Sequence, residues 1–143
     1  MKSLSVPGVL DSLDLIAEYV MEAAAEAGLD KKATYKLRLA VDEIATNIVT
    51  YGYQEGDCQG DIDLQSELDE KFLTIHLEDT AREFNPAVKI PEELERVNQP
   101  INERIIGGLG IFLVLDGVDD FIYERVGNKN RNTFKSKIPE SKL

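Results

Sequence analysis

The segment VDEIATNIVTYGY, residues 41–53, places a carboxylate and an amide four residues apart, at Glu43 and Asn47. A helix turns about 400° over four residues, so both side chains lie on one face. Together they can hold a hydrated Mg²⁺, which takes few protein ligands and keeps water or phosphate oxygens as the others. The carboxylate can instead prepare a hydroxyl or a water for attack. A solvated helix face carries the same residue types, so the pair alone leaves all three interpretations open.

A second carboxylate, Asp79, ends the alternating run FLTIHLED. It shares a predicted strand face with Leu73, Ile75 and Leu77, and an ionised carboxylate on a core face needs a partner. At the end of a strand it is suited to accept a hydrogen bond from an amino group such as adenine N6. It can equally cap the loop that follows.

Glycines lead into the apolar run GIFLV, as Gly107-Gly108-Leu109-Gly110. Backbone amides at such a helix start approach an anion closely, and the helix dipole favours negative charge there. This is phosphate-binding chemistry. The segment is not a Walker loop, because no Gly-Lys-Ser/Thr follows, and it is not a dinucleotide fingerprint, because no strand precedes it.

The elements that must position these residues follow from hydrophobic periodicity. Residues 2–7 predict an edge strand, and two helices follow, the first capped by Asp11 and ended by Gly28. The second is capped by Asp30 and runs to about Tyr51. Two strand pairs, each joined by a short turn, imply a mixed, mostly antiparallel sheet with the helices on one face. The order is β-α-α-β-β-lid-α-β-β, an α+β two-layer sandwich rather than a doubly wound parallel sheet.

The 143 residues fit a single domain, 1–143. Between about 86 and 107 the periodicity disappears among prolines and charges. Connections of this length within a compact domain are usually functional lids or disordered. We interpret this segment as a lid.

The formal net charge of −11 argues against nucleic-acid binding, which needs Lys and Arg to neutralise phosphates. A basic protein partner, or a nucleotide held with its own metal ion, fits this field better. Cys58 is the single cysteine, so neither an intrachain disulfide nor a multi-cysteine zinc site is available. Neither a secretory signal nor a membrane-spanning apolar run is visible, which predicts a cytoplasmic protein without membrane contact.

Together, these motifs resemble those of the GHKL (Bergerat-fold) ATPases. EIATNIVTYGY resembles the N box, EDTAREFNP the first glycine box and GGLGIFLV the second. The compact arrangement, with DDFIYER and a final NTFKSKI, is most similar to the anti-sigma factor serine kinases and related histidine-kinase-like regulators. The resemblance covers nearly the whole chain and implies a Bergerat fold with a long ATP lid.

By position, the resemblance makes Glu43 the general base and Asn47 the ligand of a Mg²⁺ ion that binds with ATP. It makes Asp79 the acceptor of the adenine amino group and places Thr133, in the last strand, near the base. The other nucleotide-binding positions that it implies are Ala81, Phe84, Gly107, Gly108, Leu109 and Gly110. The cations of the lid region that are available to the phosphates are Arg82, Lys89, Arg96 and Arg104.

Two departures from the family pattern stand out. The family's Asp box usually reads Asp-x-Gly, whereas Ala81 occupies the glycine position here. If that position requires a positive φ or a close approach to the base, the methyl group weakens nucleotide binding; otherwise it is tolerated. The N box commonly ends His-Ala-Tyr and here reads Tyr51-Gly52-Tyr53, which leaves the base and metal positions intact.

The resemblance implies an ATP-dependent serine/threonine kinase that phosphorylates a STAS-domain anti-anti-sigma protein, binds a sigma factor and forms a homodimer. The alternative is a non-catalytic module that uses nucleotide only to set its shape and sequesters a sigma factor or another regulator. Ala81 is the residue that keeps this alternative open. A detached histidine-kinase ATPase domain is a third hypothesis. His76, the one histidine, lies in a strand pattern that does not suit a phosphoacceptor.

Overall fold

The computed structural model of the chain describes residues 2–86 and 110–139. These residues form five strands and three α-helices in the predicted order, and most of the predicted lid lies outside them. The elements are β1 (Leu4–Pro7), α1 (Leu13–Ala27), α2 (Lys31–Asn47), β2 (Asp61–Leu68), β3 (Phe72–Asp79), α3 (Gly110–Gly117), β4 (Asp120–Val126) and β5 (Lys129–Lys137).

The described strands form one sheet in the order β1-β2-β3-β5-β4, and every neighbouring pair is antiparallel. Both predicted hairpins are present. In the β2–β3 turn, the Asp69 carboxylate accepts hydrogen bonds from the amides of Lys71 and Phe72, each at 2.7 Å. In the β4–β5 turn, Gly127 adopts a φ of 62°, which suits a residue without a side chain.

The core lies between one face of the sheet and the helices. Alternation along the strands gives this face the buried residues Ile62, Leu64, Leu73, Ile75, Leu77 and Phe134. The opposite face carries polar side chains such as Glu67, His76 and Arg131, because these residues have the other parity. The predicted α+β sandwich with helices on one face is therefore confirmed, with an antiparallel sheet throughout the described residues.

The hairpin between α1 and α2 follows from two residues. Gly28 adopts a φ of 75°, and its amide donates to the carbonyl of Ala25, which closes α1 as predicted. The Asp30 side chain accepts the amide of Ala33 at 2.7 Å and caps α2, also as predicted. The prediction for Asp11 is wrong: it lies inside a 3-10 turn, Leu10–Ser12, so α1 starts one residue after that turn without a side-chain cap.

The second helix does not end at Tyr51 but widens into a π-helical turn, Ile48–Gln54. Its buried residues recur every four positions in two rows, which are Ala40, Ile44, Ile48 and Gly52, and Val41, Ala45, Val49 and Tyr53. In a regular helix each four-residue step drifts by about 40°, so such rows leave the core after a few turns. The wider π turn offsets this drift, and π turns frequently occur at functional sites.

Candidate functional site

The polar face of α2 borders an open cleft of about 450 Å³. Glu43 and Asn47 line it, together with Thr46, Thr50, Tyr51, Gln54 and Glu55. The Thr46 and Thr50 hydroxyls donate to helix carbonyls, those of Asp42 at 2.7 Å and Thr46 at 2.8 Å. The structure therefore brings the two residues of the first motif together at the edge of a cavity, as helical spacing predicted.

Glu43 is half-buried, and burial raises the pKa of its carboxyl above the ordinary value. The neighbouring Asp42 carboxylate raises that pKa further, and a hydrogen bond with the Asn47 side chain lowers it in part. A carboxylate with a raised pKa takes up a proton more readily at neutral pH than an exposed glutamate does. This environment suits a proton acceptor.

Asp79 lies at the end of β3, 2% exposed, beside a second and much smaller cavity. Its Oδ1 accepts hydrogen bonds from the Ala81 amide at 3.0 Å and from the Asn130 side chain at 2.9 Å. Its Oδ2 is buried and has no partner within the described residues. Burial raises the pKa of Asp79, and these hydrogen bonds and nearby Arg125 counteract the rise. A buried carboxylate oxygen without a partner can accept a hydrogen bond from a donor group of a ligand.

The cavity beside Asp79 holds about 10 Å³, room for one water. Asn47 lines this cavity as well as the open cleft, and Phe84 and Pro86 border it from the loop that follows β3. Phe84 also stacks on Tyr51, with ring centroids 5.9 Å apart and an interplanar angle of 12°. Phe84, which the resemblance placed at the site, is therefore beside Asp79.

The structure does not bring Thr133 together with Asp79. Thr133 pairs with His76 across β3 and β5, and its hydroxyl lies 2.9 Å from His76 Nδ1 on the outer face of the sheet. Asn132 occupies the Asp79 face instead, because side chains alternate along the strand. Its Oδ1 is buried and unpartnered within the described part of the chain. The residue of β5 beside the Asp79 pocket is therefore Asn132, one position before the predicted Thr133.

Asn130, which pairs with Asp79, is the other residue that sequence reasoning missed. The available signal was Phe134: a core aromatic sets the parity of β5 and puts residues 130 and 132 on the core face. Two polar residues on a core face are unusual without a ligand or a hydrogen-bond network.

Ala81 fits its position without strain. It is 1% exposed, and among the described non-glycine residues only Asp57 has a positive φ. A side chain is therefore allowed at 81. The space comes from Gly52, where an added Cβ would stand 2.9 Å from the Ala81 methyl carbon. Gly52 and Ala81, the two residues that depart from the family pattern, are therefore neighbours in the fold.

The remaining predicted phosphate contacts are mostly beyond the described residues. Gly107, Gly108, Leu109, Lys89, Arg96 and Arg104 lie outside residues 2–86 and 110–139, whereas Gly110 is the first residue of α3. Arg82 is described and contacts the cleft rim: its Nε donates to the Tyr51 carbonyl at 3.0 Å, and its Nη2 lies 3.5 Å from Glu55 Oε2.

In residues 2–86 and 110–139, no group of three or more His, Cys, Asp or Glu side chains is placed to hold a metal. An amide and a carboxylate at the cleft suit Mg²⁺, whose remaining positions phosphate and water oxygens fill.

Among the described helices, none has the length and apolar content that a membrane span needs.

Fold and site together define a nucleotide-binding domain of the GHKL type. The sequence model of the histidine kinase-like ATPase domain matches residues 6–135, and the chain belongs to that family. Comparison with curated proteins gave no match.

Among solved structures, the chain is similar to the histidine kinase domain of the blue-light activated histidine kinase of Erythrobacter litoralis EL346. The TM-score is 0.55 at 15% identity, over 90% of this chain and 60% of that one. At this identity the likeness concerns the fold alone, and the chain spans about 60% of the length of that structure.

Proposed function

We propose that the protein is an ATP-dependent serine/threonine protein kinase that acts as an anti-sigma regulator. Its substrate would be a serine of a STAS-domain anti-anti-sigma protein, and a sigma factor would be its second partner. The observation that carries the proposal is the half-buried Glu43, which lines an open cleft together with Asn47, next to the pocket of Asp79. A proton acceptor beside a nucleotide pocket is the arrangement that phosphoryl transfer to a hydroxyl requires.

Each residue has a defined task in this proposal. Asp79 Oδ2 accepts the amino group of the base and so fixes the nucleotide in the pocket. Glu43 takes the proton from the serine hydroxyl as the new oxygen–phosphorus bond forms. The bond between the γ-phosphorus and the bridging oxygen breaks, and ADP leaves with that oxygen.

Asn47 would hold Mg²⁺, which when bound neutralises phosphate charge and aligns the γ-phosphoryl group. Asn47 is suited to this task because it lines both the cleft with Glu43 and the pocket with Asp79. The resemblance adds the glycines at positions 107, 108 and 110 as phosphate contacts and a homodimer as the assembly.

The test is transfer of labelled γ-phosphate from ATP to a purified STAS-domain protein. The wild type is expected to phosphorylate one serine, and Glu43→Gln to lower the transfer rate about 100-fold or more, since general bases typically contribute 10²–10⁴-fold. Nucleotide affinity should change little in this variant, because Glu43 does not line the Asp79 pocket. Glu18→Gln, an exposed glutamate of α1, is the matched control and should retain full activity.

Transfer at the wild-type rate by Glu43→Gln would refute the proton-acceptor role. Tight ATP binding without transfer to any STAS-domain protein would favour the non-catalytic module that sequesters a regulator. Ala81 is accommodated by Gly52 and has no positive φ, which removes the backbone-strain part of the sequence argument for that module. A detached histidine kinase domain would instead phosphorylate an isolated dimerisation helix pair supplied in trans.

A further inference from the structure

Asn130 is a buried side chain of β5 that connects three other parts of the chain, β3, β4 and the loop after β3. It is 2% exposed. Its Nδ2 donates to Asp79 Oδ1 at 2.9 Å and to the Arg82 carbonyl at 3.0 Å, with the Ala81 carbonyl at 3.3 Å. Its amide thus ties the end of β3 to the loop that follows.

The oxygen of the same side chain is equally engaged. Asn130 Oδ1 accepts hydrogen bonds from the Phe84 amide at 3.4 Å, from the Tyr123 hydroxyl and from Arg125 Nη1 at 3.2 Å. Tyr123 and Arg125 lie on β4, so the side chain bridges β4, β3 and the loop that carries Phe84. With all its atoms in use, Asn130 has no capacity left for a ligand.

Asp79 shows the opposite pattern. Oδ1 is occupied by the Asn130 and Ala81 donors, whereas Oδ2 has no partner in the described residues. A carboxylate held at one oxygen cannot rotate to satisfy the other oxygen within the protein. The hydrogen bonds from the Asn130 side chain and the Ala81 amide therefore leave Oδ2 as the Asp79 oxygen that is available to a ligand, and Asn130 supplies the one side-chain donor of the two.

We propose that Asn130 is a positioning residue of the nucleotide site, which holds Asp79 by Oδ1 so that Oδ2 stays free to accept the amino group of a base. The proposal rests on the proposed nucleotide-binding function of the Asp79 pocket. It assigns to Asn130 a role through Asp79, without contact to the nucleotide.

The charged and titratable groups near Asp79 make this role measurable. Arg125 and Tyr123 face it from β4, Tyr53 from the π turn and Arg82 from the loop beside the same cavity. Arginine and tyrosine titrate above about pH 10 in model compounds, and burial raises the pKa of both tyrosines further. Asp79 is the carboxyl group among these side chains, so its protonation is the charge change that the two substitutions below alter.

Two substitutions of Asn130 should produce pH dependences of opposite sign. Asn130→Ala removes a donor to the ionised carboxylate, so Asp79 protonates at higher pH and the affinity for an adenine nucleotide falls as pH decreases. Asn130→Asp has the same shape but puts a second carboxyl group 2.9 Å from Asp79 Oδ1. One shared proton restores the hydrogen bond at low pH, and repulsion between two carboxylates weakens binding as pH increases.

The experiment is calorimetric titration with ADP between pH 5.5 and 8.5. For Asn130→Ala, the pH at which half of the affinity is lost should rise by about one pH unit or more relative to wild type. For Asn130→Asp, the affinity should be about tenfold higher at the acid end than at the alkaline end, one pH unit of linkage being tenfold. Asn128→Ala, in the exposed β4–β5 turn, is the matched control and should follow the wild-type profile.

A loss of affinity that is equal at every pH in both variants would overturn the proposal, because a purely structural role of Asn130 predicts no pH dependence of the loss. If wild type binds no ADP at all, the proposed function fails, and a second measurement still tests Asn130. Carbon-13 NMR titration of the Asp79 carboxyl in the nucleotide-free protein should show a higher midpoint in Asn130→Ala, or in Asn130→Asp a two-proton titration shared with the new carboxyl. An unchanged Asp79 titration in every variant that folds would refute the positioning role.

Discussion

Gly52 and Ala81 are neighbours, and the space between them has room for one methyl group, which Ala81 supplies. A Cβ built on Gly52 stands 2.9 Å from the Ala81 Cβ, whereas carbon atoms in contact prefer about 3.5–4.0 Å. The family pattern puts alanine on the N-box side and glycine on the Asp-box side. In this chain the two residue types are exchanged, which suggests that each departure compensates for the other.

The size of the effect follows from this geometry. Gly52→Ala overpacks a buried contact, which typically costs about 1–3 kcal/mol. The higher helix propensity of alanine relative to glycine offsets about 1 kcal/mol of this destabilisation. Ala81→Gly deletes a buried methyl, about 0.8 kcal/mol, and adds freedom to the unfolded chain that costs about 0.4–1 kcal/mol more. The double variant moves the methyl group across the contact, so it should be more stable than the sum of the single changes by about 1–3 kcal/mol.

Urea unfolding of wild type, the two single variants and the double variant measures this coupling. We expect Gly52→Ala to be destabilised alone and to recover most of its stability when Ala81→Gly is added. Ala23→Gly, a buried alanine of α1, serves as the control partner and should combine additively with Gly52→Ala. Additive free energies for the Gly52 and Ala81 changes would refute the compensation.

Three further substitutions test the pocket and its support. Asp79→Asn should abolish ADP binding, and in urea unfolding it should raise the free energy of unfolding more at pH 8 than at pH 4. The reason is that folding raises the pKa of Asp79. The wild type therefore has the full stability contribution of this group below its unfolded pKa and loses it as the pH rises and the buried carboxyl ionises. A larger gain at pH 4 would contradict this sign. Asn132→Leu should keep or increase the stability of the nucleotide-free protein, since Oδ1 has no partner in the described residues, but weaken ADP binding about tenfold in calorimetry. Tyr53→Phe should lose about 1–3 kcal/mol of unfolding free energy, because its buried hydroxyl donates to the Asp61 carbonyl at 2.6 Å and accepts the Thr80 amide at 3.0 Å. Tyr35→Phe, 59% exposed, should change little.

Local signals predicted the fold well because each depends on neighbouring residues. Alternation gives the strands of the sheet, Gly28 ends α1 in a left-handed conformation, and the Asp30 side chain caps α2. Asp11 fails as a cap because a 3-10 turn, stabilised by the bond from the Ser12 amide to the Val9 carbonyl, shifts the start of the helix. Sequence cannot separate these cases, since aspartate is equally at home in a cap and in a turn.

The residues of the Asp79 pocket were only partly predictable for a related reason. Asp79 was found from its strand face, but Thr133 was placed by resemblance and lies on the wrong side by a single residue. A slip of one position reverses the face of every side chain in a strand. The orphaned oxygens of Asp79 and Asn132 could not be predicted either, because a missing hydrogen bond is a property of three-dimensional surroundings.

The closed pocket and the open cleft meet at one side chain, because Asn47 lines both. The floor of the pocket, Asp79 and its two asparagine neighbours, is held by the hydrogen bonds between β3 and β5. In contrast, Phe84 and Pro86, which we call the cover of the pocket, belong to the irregular stretch after β3. A cavity of about 10 Å³ admits one water and no purine, so a base that reaches Asp79 has to displace this cover. In the proposed function, binding of a base at Asp79 therefore requires displacement of Phe84 and Pro86, whereas Glu43 lies on α2. Under this proposal, a bound nucleotide changes the position of Phe84 and Pro86, while Glu43, the proposed proton acceptor, keeps its place on α2.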